Sequence, residues 1–148
     1  MKQSGDGFKV QSYQGVEAMK SLYDLVPQSK TNLKAFLGAD HIDPAFRTYL
    51  YEVYLPKRLA KGLWSRAIVS KTDHNEYFAN SEKVPQTEVL IIPDPLFDLS
   101  SEIILFDETK ILIACMSPTE MSGLLIESGN LYSTLEQIFE LLWRVYKR

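Results

Sequence analysis

Apolar residues recur along the chain at two alternating spacings, the two-residue spacing of strands and the three-to-four-residue spacing of helices. Short polar segments with Gly or Pro separate these stretches, and the alternation predicts an α/β fold. Because the turns between the last three predicted strands are too short for parallel crossovers, we expect a mixed, roughly seven-stranded sheet with helices on its faces. The predicted strands are residues 8–13, 33–37, 64–69, 88–92, 102–106, 111–116 and 124–127.

Four further stretches are predicted to be helices. The first has apolar residues at helical spacing from Val16 to Val26 and ends at Pro27. The second begins with Asp43 as its N-cap, and Pro56 is expected to kink it. The predicted buried face of this second helix is Phe46, Tyr49, Leu50, Val53 and Tyr54.

The last predicted helix is the most regular amphipathic segment of the chain, and a short helix at 73–80 precedes it. Charged and amide side chains lie opposite its apolar face, and Asn130 or Ser133 is expected to cap its first turn. The apolar face consists of Leu131, Leu135, Ile138, Phe139, Leu142, Trp143 and Tyr146.

A chain of 148 residues with 45% hydrophobic residues has the size of one ordinary domain. We expect residues 8–148 to form that domain and residues 1–7 to be a linker or a domain-boundary remnant. The chain has a single cysteine, Cys115, so no disulfide is expected within it. Cys115 lies in the apolar strand 111–116, which should be covered on both faces. No apolar run reaches the roughly 20 residues that cross a bilayer. We therefore expect a cytoplasmic protein without a membrane partner.

Charge argues against nucleic-acid binding by this chain, because 16 basic and 19 acidic residues give a net charge of -3. One group of basic residues stands out, and it has two interpretations. It is either an anion or phosphate site or, as we favour, a solvated helix face followed by strand ends. The group consists of Lys57, Arg58, Lys61, Arg66 and Lys71.

The sequence has no Gly-rich phosphate loop, nucleophile elbow, HExxH zinc helix or CxxC pair. Its two histidines, His41 and His74, each stand beside a predicted helix start, where a surface or capping role is favoured over that of a base or metal ligand. Cys115 lacks the electropositive, exposed surroundings of a nucleophilic thiolate and is expected to pack in the interior. No catalytic residue, metal or cofactor is expected.

The segment from Phe8 to Met19 resembles the strand, Tyr-x-Gly, helix opening of the C-terminal effector-binding domain of TrmB-like transcriptional regulators. Matching landmarks follow in the same order and cover nearly the whole chain. They are Arg58-x-x-Lys61-Gly62 with the strand 65–69, Pro93 after an apolar strand, and the segments 101–106, 110–113, 124–128 and 138–143.

This resemblance implies a fold related to phospholipase D, whose enzymes carry the motif His-x-Lys-x-x-x-x-Asp. When Asp107 is set on the motif's aspartate, Ser100 and Glu102 stand where the histidine nucleophile and the lysine would be. Without an imidazole nucleophile or the positive charge of the lysine, phosphodiesterase chemistry is expected to be lost.

Regulators of this family join a DNA-binding winged helix to a domain that binds small molecules such as sugars and contributes to dimerisation. The resemblance therefore implies a ligand-sensing, homodimeric domain without enzymatic activity. The winged helix is missing here, so we expect an excised fragment carrying a start methionine, with a naturally solitary domain as the alternative. Two other functions stay open: a divergent phosphodiesterase or hydrolase using His74 with Asp73 or Glu102 with Asp107, and a ligand-free protein-interaction domain.

The effector pocket is predicted beyond the carboxyl ends of the strands, where ligands bind in open α/β sheets. Polar loop residues there suit a polar small molecule such as a sugar, and Trp64 or Phe36 would supply a stacking face. Ordinary loop polarity explains the same residues equally well. The predicted ligand-binding residues are Gly38, Asp40, His41, Ser70, Asp73, His74, Asn75, Ser100 and Glu102.

Overall fold

The computed structural model describes residues 7–38, 41–72 and 84–147. Within these ranges, seven strands form one sheet in the order β1-β7-β6-β5-β2-β3-β4. Strands β2, β3 and β4 run parallel, and the other neighbouring pairs are antiparallel, so the predicted mixed sheet is confirmed. The strands are β1 Lys9–Gln14, β2 Leu33–Leu37, β3 Ser65–Ser70, β4 Thr87–Ile92, β5 Glu102–Phe106, β6 Lys110–Ser117 and β7 Glu120–Glu127.

Strand β7 begins four residues earlier than the sequence pattern predicts, because Ser117 pairs directly with Glu120 across a tight turn. The added residues include Gly123, which carries no apolar side chain to mark a strand. A Cβ atom at Gly123 would lie 2.7 Å from Leu22 Cδ2 and 2.9 Å from Met19 Sδ. The glycine therefore allows the first helix, α1 (Val16–Tyr23), to pack directly on the sheet.

A helix in three parts covers the same face of the sheet as α1. Helix α2 (Pro44–Tyr49) is capped by Asp43 as predicted, with its carboxylate accepting from the Ala45 and Phe46 amides. A π-helical turn (Leu50–Tyr54) follows and leads into α3 (Leu55–Ala60).

The π turn replaces the kink expected at Pro56. Proline cannot donate to the carbonyl four residues earlier and its ring crowds that carbonyl, which favours a widened turn just before it. The amide of Leu55 accordingly donates to the Leu50 carbonyl, five residues back. The widening rotates the helix face, so Val53, predicted to be buried, is 39% exposed.

The opposite face is covered by the long C-terminal helix α4 (Gly129–Tyr146), whose Phe139 is fully buried. The predicted caps Asn130 and Ser133 are wrong. Ser128 is the cap, because its extended backbone ends the preceding segment and its hydroxyl accepts from the Leu131 amide at 3.1 Å.

Strand β6 is covered on both faces, as its apolar sequence predicts. Leu112 and Ala114 pack in the cluster that contains α1, whereas Ile111 packs with Tyr132 of α4. The short helix predicted at 73–80 lies outside the described residues. Of the helices in the described ranges, none is both long enough and apolar enough to span a bilayer.

Candidate ligand cavity

A cavity of about 120 Å³ lies between the sheet and the three-part helix. Strand β2 lines it with Leu33, Ala35 and Leu37, and the π turn lines it with Leu50, Tyr51 and Tyr54. We call it the π-turn cavity. Its wall is mostly apolar, and its polar side chains come from several elements: Tyr23, Arg47, Tyr51, Tyr54, Arg58, Ser65, Thr87 and Glu102.

Glu102, the first residue of β5, is a buried carboxylate in the wall of this cavity, with only 5% of its surface exposed. The Tyr23 hydroxyl donates a hydrogen bond of 2.8 Å to Glu102 Oε1. Within the described parts of the chain, Oε2 has no hydrogen bond and the carboxylate has no ion pair. Burial raises the pKa of Glu102 to about 7, against the opposing effect of the Tyr23 hydrogen bond.

Tyr54 brings a second polar group to the cavity from the π turn. Its ring packs edge-to-face on Tyr23, with ring centroids 5.5 Å apart. Burial raises its pKa, the positive charge of Arg58 opposes this rise, and the negative charge of Glu102 adds to it. No residue in the described ranges forms a hydrogen bond with the Tyr54 hydroxyl. The hydroxyl is therefore available to a small molecule in the cavity.

Arg58 lines the cavity on the side of α3 and is 3% exposed. Its guanidinium donates to the carbonyls of Leu63, Pro85 and Gln86 and, at 2.7 Å, to the Thr87 hydroxyl. Burial lowers its pKa. The cation is thus held by neutral oxygen atoms that tie α3 to the segment before β4.

The basic group noted in the sequence does not form one anion site. Arg58 is buried, Lys57 pairs with Asp24 at 3.2 Å, and Arg66 pairs with Glu140 on the opposite face of the sheet. The favoured interpretation, a solvated face, is also wrong for Arg58. Its hydrogen-bonding capacity is used inside the protein instead.

Three of the predicted ligand-binding residues meet around the segment that precedes β5. A Cβ atom at Gly38 would lie 2.7 Å from the Leu99 carbonyl oxygen and 2.9 Å from the Ser101 nitrogen, so glycine permits a close backbone approach there. The Ser70 hydroxyl accepts a hydrogen bond of 2.8 Å from the Leu99 amide. Gly38 and Ser70 thereby position the segment that carries Ser100, which is itself exposed.

The other predicted site residues lie apart or outside the described residues. His41 is exposed, with Nε2 3.8 Å from Asp98 Oδ1. Glu102 lines the π-turn cavity, whereas Gly38, His41, Ser70 and Ser100 do not. Asp40, Asp73, His74 and Asn75 are among the residues that the structure does not describe.

The stacking faces expected from Phe36 and Trp64 are not available to a common pocket. Phe36 packs edge-to-face on Phe139 beneath α4, with ring centroids 5.5 Å apart. Trp64 immediately precedes β3, at the opposite end of that strand from Ser70. Sequence reasoning missed Tyr54 and Arg58 as cavity residues. The available signal was Pro56 within an otherwise helical aromatic segment, which indicates an irregular turn.

The pairing of Glu102 with Asp107, suggested as a hydrolytic site, is not formed. The two residues stand at opposite ends of β5, roughly 16 Å apart at the rise of an extended strand. Asp107 instead accepts from the Lys30 amide at 3.1 Å and pairs with Lys110, which together lower its pKa. Among residues 7–38, 41–72 and 84–147, no three His, Cys, Asp or Glu side chains cluster as a metal site requires.

No protein-family model and no curated protein sequence matches the chain. Solved structures do match. TrmBL2, described as an archaeal chromatin protein with a novel mode of DNA binding, superimposes with a TM-score of 0.58 at 12% identity, over 92% of this chain and 52% of its own. The chain thus spans about half the length of TrmBL2.

Two further structures share the fold. NucT from Helicobacter pylori gives a TM-score of 0.63 at 10% identity, over 93% of this chain and 97% of its own. A phosphatidylserine synthase from Haemophilus influenzae Rd KW20 gives a TM-score of 0.60 at 15% identity, over 92% of this chain and 39% of its own. At these identities the likeness establishes the fold alone. It confirms the predicted resemblance to TrmB-like and phospholipase D-like folds.

Proposed function

We propose that this chain is the ligand-sensing domain of a TrmB-like transcriptional regulator, that it has no phosphodiesterase activity, and that the π-turn cavity is its effector pocket. The observation that carries the proposal is Glu102. It occupies the position of the motif's lysine, yet it is a buried carboxylate whose second oxygen is available to a molecule in an apolar cavity. A few polar groups in a mostly apolar pocket are typical of small-molecule sites.

The fold alone is compatible with an enzyme, since the matching structures include the nuclease NucT and a phosphatidylserine synthase. The residues of this chain argue otherwise. A carboxylate at position 102 disfavours an anionic phosphodiester when it is ionised, and Ser100 supplies no imidazole for nucleophilic attack. Sensing accounts for both substitutions, because a binding site needs neither group.

Ligand screening by thermal shift tests this proposal. We expect compounds that stabilise the wild-type protein to lose most of their effect on Ala35→Leu, which fills the cavity from β2. Ala45→Leu, the same change on the exposed side of α2, is the matched control and should respond like the wild type. Equal responses of the cavity-filled variant and the wild type would contradict the assignment of the pocket.

Enzymatic activity provides the second arm of the test. We expect no turnover of bis(p-nitrophenyl) phosphate above the level of a mock purification. Turnover that is lost in Ser100→Ala or Glu102→Gln would establish an enzyme and overturn the proposal.

The proposal includes a homodimer formed through α4. Ile138 and Leu141 of this helix are 46% and 51% exposed, and they lie three residues apart on one helix face. Exposed apolar surface of this kind favours self-association when it is contiguous. Sedimentation equilibrium should show a dimer for the wild type and a monomer for Leu141→Glu, whereas a monomeric wild type at high concentration would contradict it.

The proposal assigns no DNA binding to this chain. DNA binding is described for TrmBL2, a chain about twice as long, and the net charge of -3 here provides no excess of cations for a phosphate backbone. We expect no sequence-selective retardation of duplex DNA at physiological salt. Tight, selective retardation would contradict it.

A further inference from the structure

We propose that the π-turn cavity selects a small primary amine of about six heavy atoms in all, with an apolar body and an ammonium group bound by Glu102 and Tyr54. This inference rests on the proposed function, since it names the chemical class of the effector for the same pocket. It departs from the sugar-like effector that the family resemblance implies.

The first argument is the absence of a counter-ion for Glu102. Removing a carboxylate from water is unfavourable unless a cation or several donors compensate it. In the described ranges one hydroxyl, that of Tyr23, donates to the carboxylate, and no lysine, arginine or histidine pairs with it. A ligand ammonium supplies both the missing charge and a donor for Oε2.

The second argument is the number and kind of available hydrogen-bonding groups. An ammonium group has three donors and no acceptor. Tyr23 uses its proton on Glu102, which leaves its oxygen able to accept, and the Tyr54 hydroxyl has no partner among the described residues. Glu102 Oε2 and the two phenol oxygens are therefore acceptors on residues that line the same cavity. They match an ammonium better than a carboxylate or phosphate.

The third argument concerns Arg58, which lines the cavity together with Arg47, as an anchor for an anionic ligand. The guanidinium of Arg58 is used on four neutral oxygen atoms of the protein. An anion would have to displace these contacts and would also meet the carboxylate of Glu102. No ion pair joins Glu102 to either of the two arginines that line the cavity, and its Oε2 has no donor among the described residues, which favours a cationic group beside this oxygen.

Size and access limit the ligand. A cavity of about 150 Å³ lined by apolar side chains accommodates benzene, so the π-turn cavity, at about 120 Å³, suits a short branched alkyl chain. Tyr51 lines the cavity and is 40% exposed, which makes the π turn the side of entry. π-helical turns recur at functional sites.

Calorimetric titration with three isosteric probes tests the inference: isoamylamine, isoamyl alcohol and isovalerate. At pH 8 we expect the amine to bind at least about tenfold more tightly than the alcohol, because a hydrogen bond to a charged group is stronger than a neutral one. Isovalerate should not bind. Glu102→Gln should lower the affinity for the amine by about tenfold or more and leave that for the alcohol within about threefold.

Tyr54→Phe keeps the ring and removes the hydroxyl, and it carries the test if Glu102→Gln does not fold. We expect it to weaken amine binding severalfold, whereas Tyr132→Phe, the same change on the opposite face of the sheet and outside the cavity, should not. Equal binding of amine and alcohol, with no effect of Glu102→Gln, would overturn the proposal of an amine ligand but would not contradict the assignment of the π-turn cavity as the effector pocket. If no probe binds and Ala35→Leu also has no effect in the ligand screen, both proposals fail.

Discussion

The two faces of the sheet are covered in different ways. On one face, the 18-residue helix α4 lies unbroken across the strands and buries Phe139 completely. On the other, α1 lies beside α2, the π turn and α3, each of five to eight residues, and the π-turn cavity lies beneath them. One face is continuous and filled, and the other is interrupted and contains space.

Polar groups follow the same division. Under α4, the Arg66 guanidinium lies 5.2 Å from the Phe139 ring centroid and 5.1 Å from that of Trp143, and Glu140 pairs with both Arg66 and Lys34. On the cavity side, by contrast, Glu102 has one oxygen without a donor in the described structure. The α4 face provides stability, and the interrupted face retains unsatisfied groups that a ligand can use.

The largest expected effect comes from a substitution that creates a cavity under α4. Phe139→Ala should lower the free energy of unfolding by about 3–5 kcal/mol, because it removes a fully buried ring and leaves a hole that the sheet cannot close. Leu50→Ala in the half-buried π turn should cost roughly 1–2 kcal/mol. Urea denaturation measures both, and equal losses would show that the two faces contribute alike.

Protonation of Glu102 should make the interrupted face sensitive to pH. Its pKa is raised from the ordinary 4.5 to about 7, so between these values the folded state binds more protons than the unfolded state. The contribution of the protonated Glu102 to the free energy of unfolding is therefore fully present below pH 4.5 and is lost as the pH rises through 7. Between pH 5 and pH 8 the loss should be on the order of 2–3 kcal/mol.

Urea denaturation of the wild type and Glu102→Gln at pH 5 and pH 8 isolates this contribution. The difference in stability between the two pH values should be larger for the wild type, since glutamine does not titrate. Titration of all other groups is common to both proteins. Parallel pH profiles would show that the Glu102 carboxylate titrates normally.

The regular face was the easier to predict from sequence. The apolar positions of α4 recur at one helical spacing, so Phe139, Leu142 and Trp143 were assigned to the core correctly, whereas Ile138 and Tyr146 of the predicted face are exposed. Strands β2 and β5 were predicted with the bounds that the structure gives. Local pattern decides such elements. The cap was missed because Ser128 stands at the end of a strand, where the two periods overlap.

The interrupted face could not be read from pattern alone. The π turn shifts the helix phase at Leu50, so Val53 points outward although its spacing predicts burial. Glu102 was singled out by its place in a degenerate motif, but its neighbour Tyr23 lies 79 residues away in sequence. A contact of that range depends on the sheet order, which short-range periodicity does not contain.

Two alanines on this interrupted face provide a finer comparison. Ala35 and Ala114 are both buried in the cluster that contains α1, but Ala35 lines the cavity and Ala114 does not. Ala114→Leu should destabilise by about 1–3 kcal/mol through overpacking, whereas Ala35→Leu should change stability by less than about 1 kcal/mol. Thermal and urea unfolding measure the difference, and equal destabilisation would mean that the cavity does not accommodate added atoms.

The smallest expected effect concerns the ion pairs of the α4 face. Glu140 receives hydrogen bonds from Arg66, which lowers its pKa, and it lies 3.0 Å from Lys34 Nζ. Because these side chains reach solvent, Glu140→Gln should cost about 1 kcal/mol or less at low salt, and the cost should shrink further in 1 M NaCl. The contribution of a carboxylate with a lowered pKa is present at neutral pH and is lost as the pH falls, opposite in sign to that of Glu102. Urea titrations of Glu140→Gln at pH 7 and pH 3 should therefore converge with the wild type at the lower pH, and a constant difference would show that shape rather than charge matters at this position.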